Sequence, residues 1–167
     1  MLRPLIVLLA LLTLGGCQAW HSLPAVQLES VRELPVIHVS GMGDLASAPL
    51  REALVRRGAF ADVQRGHDPE GYNVIVLAQS DLEDQHNLPL TLLSACTLFI
   101  VPAPVSWNSQ MMFHLSRGDR PLAKYMIDNR TRAWRGLFNP DGGRNEHLQR
   151  IADDFIAQMR KDPSWRE

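Results

Sequence analysis

Apolar residues recur with a helical period in the last quarter of the chain. They fall at i, i+3, i+4, i+7, i+8 and i+11, and these positions are Leu148, Ile151, Ala152, Phe155, Ile156 and Met159. Such spacing makes one continuous apolar stripe along a helix. The pattern predicts a helix over 148–159 that packs on the core and that Pro163 stops.

The first half of the chain reads as strands separated by a helix and turns. The β-branched run Val36–Ser40 predicts the first strand, and a helix is expected from Ser47 to the Arg56–Arg57 pair. A short strand is expected over 60–64. Four consecutive aliphatic residues, Val74–Leu77, predict a central strand over 72–78 that is covered on both faces.

An alternation of apolar and polar residues indicates the next two strands. Every second residue is apolar or small through 109–115 and again through 123–127, and Arg117–Arg120 supplies a turn between the two segments. This pattern predicts an antiparallel hairpin with one wetter face.

The stretch 87–116 contains no Lys, Arg, Asp or Glu. Its middle, from about Cys96 to Val101, is predicted to be a buried strand, with Cys96 as a buried thiol. The flanking segments 88–93 and 102–107 are predicted to form an exposed apolar edge for a partner. Leu92 in the first segment and Trp107 in the second are the residues expected to contact that partner.

Together these elements predict an α/β (α+β) two-layer sandwich. It has one mixed or mostly antiparallel sheet of about five to six strands with helices on one face. We expect no internal repeat and a single domain over 35–167.

The amino-terminal sequence is not predicted to be part of that domain. Arg3 precedes an uncharged apolar run from Leu5 to Leu14, which has the length of a secretory signal and is too short to span a bilayer. Leu14-Gly15-Gly16-Cys17 resembles the lipobox of bacterial lipoproteins. The resemblance implies removal of residues 1–16, a diacylglyceryl anchor on Cys17, and a lipidated tether over 17–34. By the same resemblance, Gln18 favours the outer membrane, facing the periplasm, over the inner one.

The net charge of the chain argues against one class of partner. The chain has 17 Lys and Arg against 18 Asp and Glu, a formal charge of −1, so nucleic acid is not an expected partner. Basic residues are nevertheless concentrated between Arg117 and Arg144. With Trp134 among them, they could face anionic lipid headgroups or an acidic partner. The candidate partner surface is Leu92, Trp107, Arg130, Arg132, Trp134 and Arg135.

No motif predicts chemistry. Gly41-Met42-Gly43 has phosphate-loop spacing, but Asp44 follows it, so a flexible turn is the simpler interpretation. The histidines lack metal-site spacing, although His67 and His86 with the acids between them leave a distant metal site open. We therefore predict no enzyme activity, no metal and no cofactor.

The order of elements over 35–160 loosely resembles the small periplasmic α/β domains of envelope lipoproteins. Because the sequence shows no catalytic constellation, the leading hypothesis is a non-enzymatic outer-membrane lipoprotein that acts as an accessory or assembly subunit of an envelope complex, with a protein partner. Two alternatives remain open at this point. One is a periplasmic lipoprotein that binds a lipid or small ligand. The other is a hydrolase whose site is assembled from distant residues.

Overall fold

A computed structural model describes residues 19–27, 33–42, 48–83 and 88–166. Its strands are β1 (Trp20–His21), β2 (Ile37–Met42), β3 (Val63–Arg65), β4 (Tyr72–Glu83), β5 (Ala103–Arg117) and β6 (Arg120–Arg135). Its helices are α1 (Ala48–Arg57), α2 (Leu88–Cys96) and α3 (Arg144–Lys161), followed by a 3-10 turn at Pro163–Arg166. The predicted lipid site Cys17 lies outside the described residues, as does His86, one of the two histidines considered for a distant metal site.

The strands form one mixed sheet in the order β1-β6-β5-β4-β2-β3. β2 is parallel to both β3 and β4, and the other pairings are antiparallel. Helices α1 and α3 pack on each other and on one face of this sheet. The predicted two-layer α+β sandwich is therefore confirmed.

The hydrophobic core lies between that face and the two helices. Phe155 of α3 is fully buried, and its ring stacks on that of Phe113 with centroids 4.4 Å apart. Tyr125 approaches the same ring edge-on at 5.7 Å. The apolar stripe predicted from the sequence thus supplies the centre of the core.

The predicted hairpin is confirmed, and its strands are longer than expected. β5 and β6 pair from Ala103 with Arg135 to Arg117 with Arg120. Gly118 in the turn has φ +53, and a Cβ there would lie 2.3 Å from the carbonyl oxygen of Pro69. Only glycine fits this turn.

Two predictions about buried strands are wrong. The segment predicted as a buried strand over 96–101 is the end of α2 and the turn after it, and both Cys96 and Ile100 are exposed. The central strand β4 is covered on only one face. Val74 and Val76 point into the core, whereas Ile75 and Leu77 are 44% and 42% exposed.

Candidate functional site

Three of the six candidate residues share the helix-free face of the sheet. Along β6, Asn129, Thr131 and Ala133 are buried toward the helices, and the alternating positions Arg130, Arg132 and Trp134 are exposed on the opposite side. Successive side chains of a strand point to opposite faces, which explains the division. This helix-free side is called the open face below.

Trp107 and Arg135 belong to the other side of the sheet. The indole Nε1 of Trp107 donates a hydrogen bond to the carbonyl oxygen of Gly142 at 2.9 Å. The guanidinium groups of Arg135 and Arg144 each lie 5.9 Å from the centroid of its ring. Trp107 therefore holds the loop before α3 in place, and the six candidates do not form one surface.

The open face carries a row of apolar side chains across four strands. Strand register places Met42, Leu77, Met112 and Met126 side by side. Met42 is 73% exposed and Met126 is 53% exposed. Within 19–27, 33–42, 48–83 and 88–166, no element covers this row, and Met42, Leu77 and Met112 line an open depression. Exposed apolar rows of this kind mark interaction surfaces, and methionine adapts to varied partners.

The sixth candidate, Leu92, belongs to a second exposed apolar region at one end of the sheet. This region, the apolar tip, comprises Leu92, Leu93, Leu98, Phe99, Ile100, Leu137 and Phe138, all of which are exposed. Its two segments join where the backbone N–H of Leu137 donates to the carbonyl oxygen of Phe99 at 2.8 Å. The connections after β4 and after β6 therefore meet in a single apolar surface.

The backbone at the tip is left-handed at two bulky residues. Leu98 and Phe99 have φ of +51° and +62°. The N–H of Phe99 donates to the carbonyl of Ser94, and that of Leu98 donates to the carbonyl of Ala95. These bonds form a Schellman motif at the end of α2, with leucine at the left-handed position where glycine is usual.

Strand β1 brings the amino-terminal segment to the same end of the sheet. Trp20 pairs with Arg132 and His21 pairs with Thr131, so β1 is antiparallel to β6. The Arg132 guanidinium lies 5.9 Å from the centroid of the Trp20 ring. Because β6 runs toward the tip and β1 is antiparallel to it, Ala19 lies on the tip side of Trp20.

A buried polar network lies between β1, β5, β6 and α3. His147 Nε2 is 2.9 Å from Ser109 Oγ, and its Nδ1 is 2.7 Å from Thr131 Oγ1. Thr131 Oγ1 is also 2.7 Å from His21 Nδ1, and His21 Nε2 is 2.9 Å from a carboxylate oxygen of Glu146. Burial, with a smaller contribution from His21, lowers the pKa of His147 to about 4.

This network contains a serine bonded to a histidine, as in many hydrolases. Ser109 is only 2% exposed and His147 is fully buried, so no substrate atom can reach either. The partner of His147 on its far side is a threonine hydroxyl instead of a carboxylate. The arrangement is that of a satisfied core network, not of a nucleophile and its base.

The described residues contain neither a cluster of metal-binding side chains nor a membrane-spanning helix. No group of three or more His, Cys, Asp or Glu side chains there could hold a metal ion. No helix in the described ranges is long and apolar enough to cross a membrane.

Comparison with known proteins gives structural likenesses only. No family model and no curated protein matches the chain. Rare lipoprotein B from Shewanella oneidensis is similar at a TM-score of 0.44 and 10% identity, over 75% of this chain and 94% of that one. A minor lipoprotein from Acinetobacter baumannii is similar at 0.37 and 15%, over 81% and 93%. A protein from Xanthomonas campestris is similar at 0.42 and 10%, over 82% and 89%. No family is assigned at these values.

Proposed function

We propose that this chain is a non-enzymatic outer-membrane lipoprotein, held by diacylglycerol on Cys17, that serves as an accessory or assembly subunit of an envelope complex. Its partner is a protein that binds the open face. The observation that carries the proposal is the exposed apolar row from Met42 to Met126, which lies beside the basic side chains of β6.

The membrane anchor is supported by the amino-terminal sequence. Arg3, the apolar run to Leu14 and the Leu14–Cys17 sequence occur in the order of a lipoprotein signal. Two acyl chains on Cys17 provide stable attachment, whereas one chain binds only marginally.

The open face supports a protein partner. Its apolar row has the depletion of charge that is typical of the centre of an interface, and Arg130, Arg132 and Trp134 lie toward one end of the same face. Arginine and tryptophan are among the residues that most often dominate binding energy. The hydrolase alternative lacks such support, because Ser109 and His147 are inaccessible.

Site-specific photo-crosslinking in intact cells tests the proposal. A photoreactive phenylalanine replaces Met126 on the open face, or Val55 on α1 as the matched control, since both are apolar and about equally exposed at 53% and 51%. We expect a discrete crosslinked product with another envelope protein from position 126 and none from position 55.

A Cys17→Ser arm tests the anchor in the same cells. This variant should be lost from the outer-membrane fraction, and the position-126 product should disappear with it. Unchanged outer-membrane retention of Cys17→Ser contradicts the anchor. Absence of a product at position 126, or equal products at positions 55 and 126, contradicts the partner surface.

A further inference from the structure

We propose that the apolar tip inserts into the interfacial layer of the same bilayer that holds the Cys17 anchor, so that the domain docks on the membrane at two points. The inference rests on the proposed lipidation and adds a second, protein-made contact to it. Its occupant is a phospholipid surface with anionic headgroups.

The first argument is the composition of the tip. Seven large apolar side chains are exposed there, with Leu98 at 78% and Phe138 at 81%. No charged residue occurs between Asn87 and Ser116, so α2 and its following turn bring no charge into an apolar layer. Soluble proteins rarely expose so large a group of neighbouring apolar side chains unless the patch binds something.

The second argument is backbone strain. Leucine and phenylalanine strongly disfavour the left-handed conformation that Leu98 and Phe99 adopt. Leu98 is 78% exposed, so its side chain gains little packing within the domain to offset this cost, and Phe99 is still 48% exposed. Strain that the fold maintains at an exposed position points to a function for that position.

The third argument is the position of the anchor. The Cβ of Ala19 lies 3.7 Å from a Cβ built on Gly143, in the loop that leads from the tip into α3. Ala19 follows Cys17 by only two residues in the sequence, and two residues span at most about 7 Å. From the Trp20–Arg132 pair to the end of β6 at Arg135 is about 10 Å along the strand. The described segment that begins two residues after the proposed anchor therefore lies at the same end of the molecule as the tip.

The fourth argument is the basic and aromatic surroundings of the tip. The last four residues of β6, immediately before the tip, include Arg132, Trp134 and Arg135. Trp20 lies beside Arg132. Tryptophan is enriched at the level of lipid headgroups, and arginine is attracted to anionic lipids there. A protein partner could also use an apolar tip, but proximity to the anchor and this surrounding composition favour the bilayer.

A fluorescent label on the native thiol of Cys96 tests the proposal. Cys96 is exposed at the end of α2, beside the tip, and lipidation leaves it as the only free thiol in the mature chain. The full lipidated protein is labelled with a nitrobenzoxadiazole group and reconstituted in phosphatidylethanolamine–phosphatidylglycerol vesicles. Some vesicles carry a lipid with a nitroxide near its headgroup, which quenches fluorophores in the interfacial layer.

We expect the Cys96 label to be quenched by the nitroxide lipid and to react several-fold more slowly with aqueous dithionite than the control label. The control is a Cys96→Ser, Met126→Cys chain labelled on the open face, which is also apolar but lies away from the tip. A Leu98→Asp, Phe138→Asp chain, labelled at Cys96, should lose both the quenching and the protection. Both side chains are almost fully exposed, so its melting temperature should stay unchanged.

The outcomes separate the possible explanations. A Cys96 label that is freely reduced and unquenched overturns the proposal and leaves the lipid anchor intact. Protection without nitroxide quenching means that a protein or a second copy covers the tip, which also overturns it. Equal quenching at position 126 means that the domain lies on its open face, with the same consequence. Two labels per chain show that Cys17 is free, in which case the proposed anchor fails first and this inference with it.

Discussion

Leu98 is the residue at which the conformation of the backbone and the exposure of the side chain are hardest to explain by folding alone. The Schellman motif needs a left-handed residue at this position to satisfy the last carbonyl groups of α2. Glycine adopts that conformation without steric cost, whereas an L-residue with a Cβ loses roughly 1–2 kcal/mol. With 78% of Leu98 exposed, little burial offsets the loss.

Leu98→Gly should therefore stabilise the protein. Relief of the left-handed strain outweighs the greater freedom of glycine in the unfolded chain, and we expect a net gain of about 0.5–1 kcal/mol in the free energy of unfolding. Guanidinium denaturation of the purified chain measures this change. Leu98→Ala removes the same exposed side chain but keeps the strain, so its stability should stay near that of the natural protein. Equal stability of the glycine and alanine variants would contradict the strain argument.

Single residues are predictable from the sequence only where the pattern indicates which face of an element each side chain occupies. The alternation through 123–127 predicts that Tyr125 and Ile127 share a face, and both are buried toward the helices. An uncharged apolar run carries no such direction. Cys96 and Ile100 fit a buried strand as well as an exposed turn, and only the tertiary structure decides between them.

At the scale of elements, periodic segments were predictable and short ones were not. The i, i+3, i+4 stripe gives α3, and the two alternating segments give the β5–β6 hairpin, because each pattern matches one secondary structure only. β1 has two residues, too few for any period, and its pairing with β6 depends on hydrogen bonds from distant parts of the chain. The predicted alternation ends before Arg132 and Trp134, so their place on the open face was not predictable from it.

The closing helix should account for a large share of the stability of the domain. Phe155→Ala removes a fully buried ring that contacts Phe113 and Tyr125, and a cost of about 3–5 kcal/mol is expected from the lost burial and the cavity. Phe138→Ala is the matched control. The same truncation at 81% exposure should change the free energy of unfolding by less than about 0.5 kcal/mol. Similar losses in the two variants would show that the tip packs into the core as α3 does.

Helix α3 is also joined to α1 by a charged pair. The Arg57 guanidinium donates to the carboxylate of Asp153, which is 2% exposed. Burial raises the pKa of Asp153, and the neighbouring Arg57 opposes that rise. A buried carboxylate needs such a partner, so the pair fixes the relative position of the two helices on the sheet.

At the scale of the whole molecule, the anchor, the tip and the open face have a defined relation on our proposals. β5 and β6 both extend to the end that carries the tip, so tip insertion would direct these strands toward the membrane. The open face would then stand at a steep angle to the bilayer, accessible to a partner from the side. Two acyl chains already suffice for attachment, so the tip would chiefly set orientation.

The buried polar network connects β1 with the rest of the domain, and its chemistry makes stability depend on pH. His147 has a pKa of about 4 in the folded protein, against about 6.5 for an unperturbed histidine. Between these values the unfolded chain binds a proton at this position and the folded chain does not. The contribution of neutral His147 is therefore complete above about pH 6.5 and is lost as the pH falls toward 4.

The expected loss over that interval is about 3 kcal/mol, the free-energy equivalent of the pKa difference. Chemical denaturation at a series of pH values from 7 to 4 measures it. Histidine and carboxylate side chains in general titrate in or near this range, so a control is needed. His147→Gln is therefore the control: it will be less stable at every pH, but its stability should fall less steeply than that of the natural protein. Because the readout is the slope and not the level, an equal slope in the two proteins would remove His147 as its source, whatever the substitution does to packing.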